Sequence, residues 1–162
     1  MQLTRFTDYT LRVLISVAVD VRGAVTIGEI SAQYGISRNH LMKVVQHLGH
    51  LGYLETVRGK GGGLRLAVPA SEIRLGDVVR DVEGGFDIVP CFDKTRPDMC
   101  VIAPACVLKG VLRGALSAFL DVLDGYTLED LIGPKRSLRK LLAVNGHGKR
   151  VPSRALPLRS EA

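Results

Sequence analysis

The chain has 162 residues, 46% of them hydrophobic and 5% aromatic with no tryptophan, which allows one compact domain, or a small domain with an extension, built on an aliphatic core. No apolar run approaches the roughly 20 residues that cross a bilayer, and the first residues lack the charged-then-apolar order of a signal peptide, so the expected location is the reducing bacterial cytoplasm, away from membranes and disulfides. The net charge of +6 divides unevenly: residues 1–65 carry 8 Lys/Arg against 4 Asp/Glu, residues 66–134 carry 6 against 11, and residues 135–162 carry 8 against 1.

In chain order, residues 5–21 place Leu11, Leu14, Ile15 and Ala18 at helical spacing, with Asp8 in the first turn, where the helix dipole favours a carboxylate. Thr26-Ile27-Gly28-Glu29 has the form of a capping box opening a short second helix that Gly35 ends. Ser37 then caps a third helix with Leu41, Val44, Val45, Leu48 and Leu51 on one face. Paired short helices across a glycine-containing turn form a helix-turn-helix pattern. Tyr53 to Arg58 and Leu64 to Val68 read as strands joined by Gly59-Lys60-Gly61-Gly62-Gly63. A hairpin directly after a helix-turn-helix is a winged helix. The rival P-loop reading fails, because no Gly-Lys-Ser/Thr element follows and no helix opens straight after the glycines.

Ile73 to Val82 is predicted as a fourth helix packing under the wing. Gly84-Gly85 opens an irregular loop holding Cys91 and Cys100. From about Pro104 to Asp124 runs the longest helix, whose stripe of Leu108, Val111, Leu112, Ala115, Phe119, Val122 and Leu123 fits a dimerisation helix; a monomeric core helix is the alternative. Thr127 to Leu131 forms a last capped turn. The expected fold class is mainly α: a winged helix-turn-helix domain with a two-stranded wing, plus a long dimerisation helix.

The basic amino-terminal part points to a polyanion. Residues at the start of a recognition helix reach base edges in the major groove, which singles out Ser37, Arg38, Asn39 and His40, with Lys43 further along. Arg reads guanine, and Asn or Gln reads adenine, through paired hydrogen bonds. Arg58, Lys60 and Arg65 put positive charge on the wing, and glycines such as Gly62 permit close approach to phosphates. His47 and His50 read as solvated surface.

All three cysteines, Cys91, Cys100 and Cys106, fall within one 16-residue stretch. An odd number argues against a disulfide framework, and three thiolates on one loop resemble a metal or iron–sulfur site one protein ligand short. Zinc favours close pairs such as C-x2-C, whereas the C-x8-C-x5-C spacing here suits the separated irons of a cluster. Structural thiols or a redox pair remain open. Fourth-ligand candidates are His40, His47, His50, His147, Asp87, Asp93, Asp98 or an exogenous thiol; Lys109 cannot ligate while protonated.

Leu3-Thr4-x-Phe6-Thr7-Asp8-Tyr9, Tyr34-Gly35-Ile36-Ser37-Arg38-Asn39-His40, Val57-Arg58-Gly59-Lys60-x-Gly62-Gly63, Pro104-Ala105-Cys106 and Tyr126-Thr127-Leu128-x-Asp130-Leu131 together resemble the NsrR-type nitric-oxide-sensing repressors. These belong to the iron–sulfur winged-helix regulators, whose other members include IscR and RirA. The resemblance covers about residues 1–144. It implies a homodimeric repressor bound to a pseudo-palindromic double-stranded DNA operator, with one iron–sulfur cluster ([4Fe-4S] or [2Fe-2S]) per subunit held by Cys91, Cys100 and Cys106. It also implies a fourth ligand from Asp8 of the partner subunit, and release of DNA on nitrosylation. IscR-like relatives carry a ligating histidine where this chain has Lys109, and RirA-like iron regulators have Asn where it has Asp8. The gap between Cys91 and Cys100 is longer than in NsrR-type loops.

The resulting division is residues 1–83 as the DNA-binding domain, 84–103 as the cluster-binding loop, 104–133 as the dimerisation helix and capping turn, and 134–162 as a basic, disordered tail that adds non-specific DNA affinity at most. An iron-responsive regulator is the alternative function. An enzyme is not expected, since no acid/base or nucleophile arrangement stands outside the cysteine loop.

Overall fold

The computed structural model describes residues 2–59, 61–92 and 100–146, with side chains up to residue 143. Helix α1 (Arg5–Val19) begins at Thr4, whose hydroxyl accepts the Thr7 N–H. It ends two residues earlier than its periodicity suggests, because the Asp20 carboxylate accepts the Arg22 N–H at 2.6 Å and closes a turn. Helix α2 (Ile27–Tyr34) opens with the expected Thr26–Glu29 capping box and stops at Gly35, which takes the left-handed conformation at φ 67°. Helix α3 (Arg38–His50) starts at Ser37, whose hydroxyl accepts the His40 N–H.

Strands β1 (Leu54–Val57) and β2 (Gly63–Leu66) pair antiparallel, with Leu54 opposite Leu66 and Glu55 opposite Arg65. Val25 adds a bridge to the outer side of β2 by exchanging two backbone hydrogen bonds with Leu64. That close approach requires Gly63, where a Cβ would lie 2.8 Å from the Val25 carbonyl oxygen. The wing turn imposes a similar demand on Gly62, whose Cβ would collide with the carbonyl oxygen of Val57.

Helix α4 (Leu75–Val82) departs from expectation: it packs chiefly on α1 and on the long helix α5 (Val107–Asp124). It reaches the base of the wing through Asp81, which accepts the Tyr53 hydroxyl at 2.6 Å. Burial, together with this acidic partner, raises the Tyr53 pKa above the usual range. Arg80 grips Asp124 with two hydrogen bonds, of 2.7 and 2.5 Å, and so anchors the carboxyl end of α5. Helix α6 (Leu128–Leu131) is the expected capped turn.

The core is aliphatic, as composition demanded. Val13, Leu14, Ile30, Leu41, Leu48, Leu54, Leu64, Ile73, Val78 and Leu128 are all less than 5% exposed and form one cluster. Helix α5 contributes no buried residue to it, and Leu108, Val111 and Val122 are each about 60% exposed. The monomeric-core reading of this helix is therefore excluded.

The disordered-tail expectation fails for its first part. Lys135–Gly146 forms α7, which lies on α2 and on the end of α1. Leu142 is buried with Val19 and Ile132, and Leu138 packs beside them. The Arg139 Nε donates to the Val19 carbonyl at 2.6 Å, putting a cation at the negative end of the α1 dipole. The Leu138/Leu142 pair at i, i+4 was the legible signal, obscured by four basic residues in six positions. Residues 147–162 lie outside the described residues. Leu142→Ala is expected to lower stability by roughly 2 kcal/mol through the cavity it leaves. Urea unfolding that shifts by less than a quarter of that, measured on the full chain, would return α7 to the tail.

Candidate functional site

The amino-terminal turn of α3 projects from the body. Ser37, Arg38, Asn39 and His40 are exposed there, and Lys43 is exposed one turn on. The first turn of α3 holds no acidic residue, so its positive dipole end faces outward unopposed. Arg38 reaches back to the start of α2, where a Cβ on Gly28 would stand 3.4 Å from its guanidinium. This brings the first turns of both helices to one surface. Met42, 50% exposed on the same helix, was missed by periodicity because it lies off the apolar stripe. An exposed thioether there suits apolar contact with a thymine methyl.

Two histidines of α3 sit against rings of α1. The His40 ring lies 6.1 Å from that of Tyr9, and the His47 ring meets Phe6 edge-on at 5.5 Å. His47, expected as solvated surface, is instead a packing residue, and His40 remains exposed while resting on Tyr9.

On the wing, Arg58 is exposed, but Arg65 is not a free cation. It stands directly across the ladder from Glu55 and donates to it at 2.5 Å. The register that sets them opposite each other could not be read before the turn was known. Lys60 lies outside the described residues.

The three cysteines are free and half-buried, each in its own local setting. Cys91 lies in a short 3-10 turn, Pro90–Phe92. Cys100 and Cys106 flank another, Ala103–Ala105, in which the Cys100 carbonyl accepts the Ala103 N–H at 3.0 Å. Cys106 is the amino-terminal cap residue of α5, and its side chain makes no capping bond. The first of these turns packs on α5, where the Arg113 guanidinium lies 5.7 Å from the Phe92 ring centre. Among the described residues, however, no three His, Cys, Asp or Glu side chains come close enough to hold a metal ion. Asp93 and Asp98 lie outside the described residues, as does His147. The donor set itself fits a cluster in its chemistry: three soft thiols, none in a disulfide, within 16 residues of sequence.

Asp8 points elsewhere. Its carboxylate is half-exposed and accepts from the Arg12 guanidinium at 2.8 Å, one turn along α1. Arg12 in turn lies 5.5 Å over the Tyr34 ring of α2. Among the described residues, Asp8 joins no group of three metal-ligating side chains, with the cysteines or otherwise.

A cavity of about 580 Å³ lies between the end of α1, α2 and α7. Of its charged groups, Arg22 pairs with Asp20 and with Glu29, both at 2.6 Å, and Arg139 donates to the Val19 carbonyl. Arg22, with help from the Thr26 N–H, holds the Glu29 carboxyl down at about 2. Among the described residues, no helix is long and apolar enough to cross a membrane.

The family model for Rrf2, described as an iron-dependent transcriptional regulator, matches residues 3–134. An HTH-type transcriptional regulator NsrR of Bacillus subtilis (strain 168) is 52% identical over 145 residues, covering 89% of this chain and 99% of the relative. The regulator of the same name from Geobacillus kaustophilus (strain HTA426) is 48% identical over 143 residues, or 88% of this chain and 97% of the relative. Among solved structures, the oxidized form of Staphylococcus aureus CymR superposes with a TM-score of 0.67 at 28% identity, covering 82% of this chain and 97% of that one. T. potens IscR, at 24% identity, shares the fold with a TM-score of 0.67 over 86% of this chain and 91% of its own. The chain thus belongs to the Rrf2 family and is a DNA-binding transcriptional regulator of the NsrR type, not an enzyme.

Proposed function

We propose that the protein is a homodimeric repressor of the cytoplasm that releases its operator in response to nitric oxide. The observation that carries this reading is the position of Asp8: half-exposed on the helix whose Phe6 and Tyr9 pack on the recognition helix. Cys91, Cys100 and Cys106 would supply three thiolate ligands to an iron–sulfur cluster, and Asp8 of the partner subunit the fourth. Bound in this way, such a cluster would supply iron that reacts with nitric oxide at the position held by the weaker carboxylate ligand.

The chain's own residues then account for the response. A freed Asp8 carboxylate has a partner ready in Arg12, at 2.8 Å. Arg12 rests on Tyr34, so that choice is felt at the carboxyl end of α2. Phe6 and Tyr9 carry any shift of α1 to His47 and His40 on α3. Two recognition helices hold a pseudo-palindrome only while their spacing matches the helical repeat of DNA, so a small displacement of each is enough for release. The exposed apolar face of α5, with Leu108 and Val111, supports the dimer this spacing requires.

The choice of signal rests on Asp8, where iron-responsive relatives have Asn, and on Lys109, where IscR-like relatives have a ligating histidine. Anaerobic titration of cluster-loaded protein with nitric oxide, read by gel shift on an operator selected from random duplexes, should abolish binding; full affinity after complete nitrosylation overturns the reading. On DNA, Asn39→Ala should cost about 1–3 kcal/mol at one base position and relax sequence preference there. Arg58→Ala should instead weaken all sequences alike and flatten the slope of log K against log salt by about 0.9. A changed base preference in the Arg58 variant would show that the wing reads bases.

A further inference from the structure

The cysteine loop leaves the body at Glu83, the residue that ends α4. Its side chain does not turn to solvent. One carboxylate oxygen, Oε1, accepts both the Thr4 N–H at 2.7 Å and the Thr7 hydroxyl at 2.6 Å. Thr4 is the amino-terminal cap of α1, and Thr7 is fully buried in its first turn. The Thr4 hydroxyl also accepts the Thr7 N–H at 3.2 Å, so Glu83 is bound to the cap itself. The contact spans 79 positions of sequence and joins the root of the loop to the start of the helix that carries Asp8.

The first residues of the loop stay beside this junction. Past Gly84-Gly85 the chain folds back, and Phe86, Asp87 and Ile88 face Gln2 and Leu3 across a cleft of about 180 Å³ that Glu83 also lines. From the cap, α1 runs directly to the recognition helix: Phe6, one residue before Thr7, meets His47, and Tyr9, two residues after it, meets His40. A carboxylate accepting two short hydrogen bonds from a helix cap is a directional link, since either bond weakens steeply when the donor leaves its axis.

From this geometry we infer that Glu83 is a positioning residue that couples the cysteine loop of each subunit to that subunit's own recognition helix. This inference rests on the proposed reading of the loop as the sensing element. It adds a second input to α1: beside any link from Asp8 to the partner's cluster, α1 is held at its cap by the loop of its own chain. Each recognition helix then answers to both loops of the dimer.

The test is hydrogen exchange, read by mass spectrometry, on the full chain in its cluster-loaded and metal-free forms. Peptides over residues 4–10 and 38–47 are followed in wild type, Glu83→Ala, Glu83→Gln and Thr7→Val, each at matched iron per chain. In wild type, loading should change exchange over 38–47 by about tenfold, within the usual range of coupled equilibria. Glu83→Ala should reduce that change to about twofold or less, as expected where the coupling has been lost. Glu83→Gln should retain it, because the amide oxygen still accepts both donors, a rescue that a purely charge-based role would not give. Thr7→Val keeps the side-chain shape, removes one donor and should fall between, which keeps the inference testable if Glu83→Ala does not fold.

Wild-type coupling retained in both Thr7→Val and Glu83→Ala, or no change over 38–47 on loading wild type, overturns the role of Glu83. Nitric oxide is absent from this comparison. An operator affinity indifferent to nitric oxide, with the exchange pattern as expected, would instead sink the proposed signal and leave the coupling standing.

Discussion

Everything in this molecule is arranged around the burial of α1. Val13, Leu14 and Val17 lie within the core, and the helix touches α3, the second wing strand, α4, α6 and α7. Close-packed interiors transmit displacement because side chains have no free volume to absorb it. A helix wedged among five elements cannot shift without moving at least one of them. Its amino-terminal turn is also where the polar contacts gather: Glu83 on the cap, Arg12 on Asp8, and two ring contacts to α3. The root of the cysteine loop and α3 are far apart in sequence but both contact the first turns of α1.

The contrast with α5 is instructive. That helix is fixed at its carboxyl end by the Arg80–Asp124 pair, which holds the Asp124 carboxyl below its usual range, and the Asp124 carboxylate lies where a Cβ on Gly76 would stand. Its amino end, with Cys106 and the exposed Val107, Leu108 and Val111, stands away from the core. Exposed ion pairs stabilise folds little, so the Arg80 contact sets direction more than stability. An apolar helix held at one end and bare along the rest suits covering by a second subunit, and Cys106 caps its bare end.

Much of this was legible in residue order. The caps at Ser37, Thr26 and Thr127 formed as read, because a side chain three residues from its backbone partner needs no tertiary partner. The winged helix followed from the glycine-rich hairpin after paired helices, and the apolar stripe of α5 was plain in its spacing. The reading of Asp8 came from a motif resemblance; within the single chain, the structure shows its carboxylate bound to Arg12.

What residue order could not settle were the contacts between distant segments, whose energies depend on register and packing. Arg65 looked like a DNA-facing cation until the ladder set Glu55 opposite it. His47 looked solvated until α1 brought Phe6 against it. The basic run from Lys135 read as a loose tail, yet Leu138 and Leu142 find a hydrophobic seat that only the folded α1 and α2 create. Glu83 was a helix-end carboxylate with no assigned role until the fold laid the Thr4 cap beside it. Residue order was enough for α1 to α6 and their side-chain caps, and for three thiols within 16 residues, since these depend on neighbours a few residues apart. Which cations are paired, and that α1 lies between Glu83 and α3, needed the fold, because those contacts depend on groups that folding alone brings within reach.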